Sequence, residues 1–100
     1  MKYDYSDDFR KQFKKQDVRV RHGFETAIKI FETNPNDGRL DNHELTHDEL
    51  AGFKSIDILK YKKQYVAIFT EETLGGETTA VFVAIGEKDE LYRQKDNDEE

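Results

Sequence analysis

Residues 64–86 read QYVAIFTEETLGGETTAVFVAIG. Two runs inside this stretch, QYVAIFTEE (64–72) and TTAVFVAIG (78–86), are rich in β-branched and aromatic residues. Such side chains suit a pleated, buried surface. Both runs are apolar at odd and even positions alike, as strands covered on two faces should be. Between them, Leu74-Gly75-Gly76-Glu77 predicts a hairpin turn, because glycine supplies positive φ. The glycine pair is not a phosphate loop, since no helix N-terminus follows it. Two central strands joined by a tight turn are therefore the nucleus of the fold.

Working upstream, FKSIDIL (53–59) alternates in part and predicts a further strand, turned into the next by Tyr61-Lys62-Lys63. Before residue 52 the apolar period changes. Val20, Phe24, Ala27, Ile28 and Phe31 form the buried stripe of a helix from about Asp17 to Thr33. Asn34-Pro35-Asn36-Asp37-Gly38 stops it, because Pro disfavours a helical residue before it. Ser6 is an N-cap candidate for SDDFRKQFKK, with Asp7 and Asp8 favourable in the first turn. Phe9 and Phe13, four apart, share one face of that helix. KYDY (2–5) predicts a short strand, and EKDELYR (87–93) a short helix or extended segment. The layout is β-α-α-β-β-β. It predicts an α+β fold, with two N-terminal helices packed on one side of a small, mainly antiparallel sheet. One domain is expected over residues 1–93, followed by a polar, acidic tail over 94–100 without fixed structure.

Composition narrows the function classes. The chain of 100 residues has no cysteine, which excludes disulfides, Cys-ligated zinc and thiol chemistry. A cysteine-free chain fits a reducing cytoplasm. The start, MKYDYSDDF, lacks an apolar h-region, and no apolar run is long enough to span a bilayer. The net charge is −6, unevenly spread. Residues 1–30 carry eight Lys/Arg against five Asp/Glu, whereas residues 61–100 carry five against ten. Non-specific nucleic-acid affinity comes from neutralised phosphates, so the basic front end, with Arg10 and Lys14, is the main positive surface available for RNA. The plainer reading of these cations is a solvated helix face.

Residues 43–47, HELTH, match the H-E-x-x-H signature of zinc peptidases. That chemistry needs a helix, so that His43 and His47 reach one metal, and it needs a third protein ligand. The flanks Asp41-Asn42 and Asp48-Glu49 are polar, and His22 is the remaining histidine. Zinc hydrolysis is thus a remote alternative to a polar loop or short turn with two solvent-facing histidines.

In another register the same residues carry more. The string contains NP (34–35), L-x-x-H-x-L (40–45), L-x-G-F-x-S-I (50–56) and IG-x-x-DELY (85–92), in that order. It resembles the RelE/ParE superfamily of bacterial type II toxin–antitoxin toxins, from KYDYSDDFRKQFKK to ELYR. The resemblance implies a RelE-like fold, a cytoplasmic protein and a cognate antitoxin as partner. It also implies activity as a ribosome-dependent mRNA endonuclease, with ribosome and mRNA as further partners and no membrane, metal or cofactor.

The implied cleavage is attack of the RNA 2′-OH on the adjacent phosphate, which needs proton transfer and cationic stabilisation. By resemblance, His43 is the proton-transfer candidate, Tyr92 an aromatic that stacks on mRNA or assists proton transfer, and Lys88 a cation for phosphate charge. Lys54, like Arg10 and Lys14, would contact RNA. The departures are Val66, where an arginine is common, and Asp57 and Tyr61, where the histidine-rich nucleases carry His and Asp. These departures, with the acidic charge, carry the alternative: a ParE-like non-nuclease toxin, or a catalytically silent binding module of the same fold.

Overall fold

The computed structural model describes residues 1–46 and 48–97, without the side chains of Asp48, Tyr61 and residues 93–97. Strand β1 (Lys2–Tyr5) leads into helices α1 (Asp7–Lys15) and α2 (Val18–Thr33). A two-residue strand, β2 (His43–Glu44), lies between short 3-10 turns at Gly38–Leu40 and Asp48–Leu50. The meander follows as β3 (Lys54–Tyr61), β4 (Lys63–Leu74) and β5 (Glu77–Glu87), and α3 (Lys88–Asn97) closes the chain. Among the described residues the strands form one sheet in the order β1-β5-β4-β3-β2, antiparallel except for β1 on β5.

The local signals act where the sequence places them. The Ser6 hydroxyl accepts from the Phe9 amide at 3.1 Å, and the Asp17 carboxylate accepts from the Arg19 amide at 2.8 Å. Each satisfies a helix donor that has no intrahelical partner. The Asn34 amide donates to Ile30 at 2.8 Å and ends α2 before Pro35. Gly75 and Gly76 have φ of 59° and 80°, the doubly positive turn whose twist matches a two-residue hairpin. Lys62, at φ 63°, makes the tighter turn between β3 and β4.

Two apolar layers sandwich the sheet. On one face, Phe9 of α1 and Val20, Phe24, Ala27, Ile28 and Phe31 of α2 bury against Ile56, Ala67, Phe69, Ala80 and Phe82. Phe82 sits within 6 Å of the ring centroids of Phe9, Phe24, Phe31 and Phe69. Each such ring contributes about 1.5–3 kcal/mol by burial. Gly23 lets α2 approach β3, because a Cβ there would stand 2.6 Å from the Ile58 carbonyl oxygen. On the other face, Leu45, Leu50, Val66 and Ile68 form a smaller cluster with Phe53, Val83, Ala84, Leu91 and Tyr92. The run Val66–Phe69 is buried throughout, so β4 is covered on both faces, as its sequence requires.

Beyond Phe82, the edge of β5 that faces β1 has no strand beside it among the described residues, while β4 continues along the other edge. Gln12 of α1 and Gln16, the residue that caps its C-terminus, take that role: the Ile85 amide donates to Gln12 Oε1 at 3.0 Å, and Gln16 Nε2 donates to the Ile85 carbonyl at 3.4 Å. A bare edge would invite pairing with another chain, and the two amides close it.

Two features extend the expected layout. The expected loop at residues 43–47 contains strand β2, while His47 lies outside the described residues. The C-terminal segment is helical and continues through Asn97, so residues 94–97 of the expected tail belong to α3; residues 98–100 lie outside the described residues. No helix among the described residues is long and apolar enough to cross a membrane.

Candidate active site

Cross-strand register organises the site. His43 of β2 stands opposite Ser55 of β3, Ser55 opposite Ile68 of β4, and Ile68 opposite Ala84 of β5. Directly opposed residues of antiparallel strands project to the same face. His43, Ser55, Ile68 and Ala84 therefore form one row across four strands, on the face away from α2. Each step is about 4.8 Å.

His43 is held and open at once. Its side chain is 42% exposed, and Nδ1 lies 2.7 Å from the Asp41 carbonyl oxygen. In the neutral ring, that contact makes Nδ1 the protonated nitrogen and leaves Nε2 as the proton acceptor. Asp41 adopts the left-handed conformation (φ 46°) at the end of the Gly38–Leu40 turn, and its carboxylate Oδ2 lies 3.8 Å from Nδ1.

The HExxH register fails on geometry. His43 and Glu44 are successive residues of a strand, so they face opposite sides of the sheet. The helix that would bring His43 and Glu44 to one metal with a second histidine is not formed.

Helix α3 supplies the other members. Tyr92 packs in the second apolar cluster with Leu45, two residues from His43. Its hydroxyl is buried and has no hydrogen-bond partner among the described residues. The Lys88 ammonium lies 5.9 Å from the centre of the Tyr92 ring, in cation–π range. Tyr92, with the Lys88 ammonium near its ring, and Leu45, two residues from His43, thus belong to one apolar cluster on the sheet face that His43 shares.

The remaining candidates stand elsewhere. Lys54 pairs with Phe69, so alternation turns it to the opposite face from His43, where its ammonium meets Glu71 at 3.1 Å. Arg10 and Lys14 line a groove between α1 and α2 with Tyr5, Phe13 and Phe24. Arg10 is 3.8 Å from Asp4 and lies over the Tyr5 ring at 5.6 Å. Asp57 accepts a hydrogen bond from Gln64 at 2.8 Å. Val66 is 1% exposed, an apolar member of the second cluster where an arginine was the comparison.

One neighbour of His43 was not singled out from the sequence. Ser55 is fully buried beside His43, and its hydroxyl has no hydrogen-bond partner among the described residues. The signal was present as a lone hydroxyl at an inward position of the run KSIDIL.

No family model matches the chain, and no curated protein matches it. Among solved structures, the fold matches a YoeB/ParE toxin from Agrobacterium tumefaciens with a TM-score of 0.63. The match covers 85% of this chain and 96% of that one, at 17% identity. At that identity the likeness shows the fold: α+β, three helices among the described residues on a mostly antiparallel open sheet, of the RelE-like kind. It is the fold that the resemblance read from the sequence implied.

Proposed function

We propose that this chain is the toxin of a toxin–antitoxin pair and that it cuts mRNA on the ribosome without a metal. The observation that carries this reading is the exposed His43 imidazole, its Nδ1 engaged by the Asp41 carbonyl, on the sheet face against which Tyr92 packs with Lys88 near its ring.

His43 Nε2 takes the proton of an RNA 2′-OH as that oxygen bonds to the adjacent phosphorus. Lys88 supplies positive charge to the phosphorane oxygens. The bond to the 5′-oxygen then breaks, leaving a 2′,3′-cyclic phosphate and a 5′-hydroxyl that takes its proton from solvent. Tyr92 acts through Lys88: its ring underlies the ammonium, while its hydroxyl is buried away from RNA. Lys54, Arg10 and Lys14 fit contacts to the larger ribosomal surface better than contacts to the reacting phosphate, since they stand off the His43 face.

The cognate partner is an antitoxin protein, and the place of action is the cytoplasm. Induced expression of the chain alone tests the reading. Growth arrest with cuts inside translated coding regions is the expected result, relieved by the antitoxin. Growth arrest with DNA damage and intact mRNA would point instead to a ParE-like target.

A further inference from the structure

A slot of about 330 Å³ opens on the same sheet face as His43. Ile68, Ala84, Val83, Phe53 and Leu91 wall it, and two polar side chains of α1, Asp8 and Gln12, stand at its rim. Its volume is at the small end of ligand sites. Ile68 and Ala84 belong to the row that starts at His43, so the slot begins two strands away, about 10 Å. Phe53, Val83, Ala84 and Leu91 are only half-buried and offer apolar surface to a flat occupant.

The rim has a defined hydrogen-bonding pattern. Asp8 and Gln12 are one helical turn apart and share a face of α1. Gln12 Oε1 is taken by the Ile85 amide at 3.0 Å, which fixes the side chain and leaves Nε2 as a donor. Asp8 is exposed and its carboxylate offers two acceptors. The α1 terminus already has Asp7 beside it for the helix dipole. The rim therefore presents two acceptors and one donor above apolar walls.

We infer that this slot binds a single guanine of the RNA, next to the cleaved phosphate. Guanine alone among the four bases places two adjacent N–H donors and one carbonyl acceptor on its Watson–Crick edge. N1–H and N2–H meet the Asp8 carboxylate, and Gln12 Nε2 meets O6. Adenine and cytosine offer one amino donor beside a ring acceptor, and uracil one donor between carbonyls, so each leaves an Asp8 oxygen unmatched. Splayed bases read on this edge and packed on side chains are the usual mode for single-stranded RNA. The inference rests on the RNA-cleaving reading and names the base that the same face selects.

The test uses the full chain with the four nucleoside 5′-monophosphates, followed through the amide resonances of Val83, Ala84 and Leu91. GMP should shift them and bind about tenfold more tightly than AMP, CMP or UMP, the worth of one charge-assisted hydrogen bond. Asp8→Asn should remove that preference without unfolding the chain, because Asp8 is exposed. Equal binding of all four nucleotides, no shift with any, or a GMP preference that survives Asp8→Asn would overturn the inference. Asp8-dependent GMP binding by a chain that cuts no RNA would uphold the slot and remove the cleavage reading. His43-dependent cutting with no Asp8-dependent guanine preference would do the reverse.

Discussion

His43 stands directly opposite Ser55 across the β2–β3 ladder, so an exposed imidazole and a fully buried hydroxyl share one face of the sheet. The strand that carries His43 is two residues long and depends on the edge of β3 for its form. The histidine is thus set by the sheet rather than by a helix, and this separates it from the helical H-E-x-x-H arrangement.

His43→Ala should abolish toxicity and lower cleavage by about 10²–10⁴-fold, the usual contribution of a positioned general base. Thermal stability should barely change, because surface substitutions of this kind fall within about 0.5 kcal/mol. Parallel cleavage and melting measurements check both parts.

Tyr92→Phe removes a buried hydroxyl that has no partner among the described residues. Leaving such a group unsatisfied costs about 1–3 kcal/mol, so the variant should be as stable as the parent or more so. Cleavage should be nearly kept, since the ring still underlies Lys88. Tyr92→Ala should lose both stability and cleavage. A Tyr92→Phe chain that is stable but inactive would instead assign the proton donor to the hydroxyl.

Gly23→Ala reverses an ordinary rule. In an exposed helix interior, alanine is about 1 kcal/mol better than glycine. At Gly23 the new Cβ would meet the Ile58 carbonyl oxygen at 2.6 Å, and backbone must move. Overpacking costs about 1–3 kcal/mol, so the net effect should be destabilising by denaturant titration.

Tyr3 predicts a loss of stability in alkali. Its hydroxyl donates to Glu32 at 2.7 Å, tying β1 to the end of α2. That hydrogen bond, first, and burial then push its pKa up to about 12. The folded state therefore favours the neutral phenol. The contribution is fully present below the unfolded value near 10 and is lost as pH rises through about 12. Tyr3→Phe should flatten the alkaline limb of the stability curve.

Much of the fold was legible because its signals are local. Ser6, Asp17, Asn34 and Gly75-Gly76 each act on their own backbone within a few residues, and the apolar stripes set the faces. Strand β2 was not legible, since His43 and Glu44 are polar and extended only because β3 offers an edge. The parallel pairing of Lys2–Tyr5 with Thr79–Phe82 joins distant segments and leaves no local mark. Of the site, His43, Lys88 and Tyr92 could be named, but the sheet face that His43 and Tyr92 share depends on strand order and register. Lys54 follows Phe53 by one residue, and the period of two sets it on the other face from Ser55; register was needed to see which face held His43.

The most direct measurement is the chemistry of new RNA ends in cells expressing the chain. A 2′,3′-cyclic phosphate upstream and a 5′-hydroxyl downstream of each cut, within translated mRNA and absent with His43→Ala, is the predicted result. Growth arrest without such ends, or the same ends with His43→Ala, would contradict the assignment of His43 as the group that takes the 2′-OH proton.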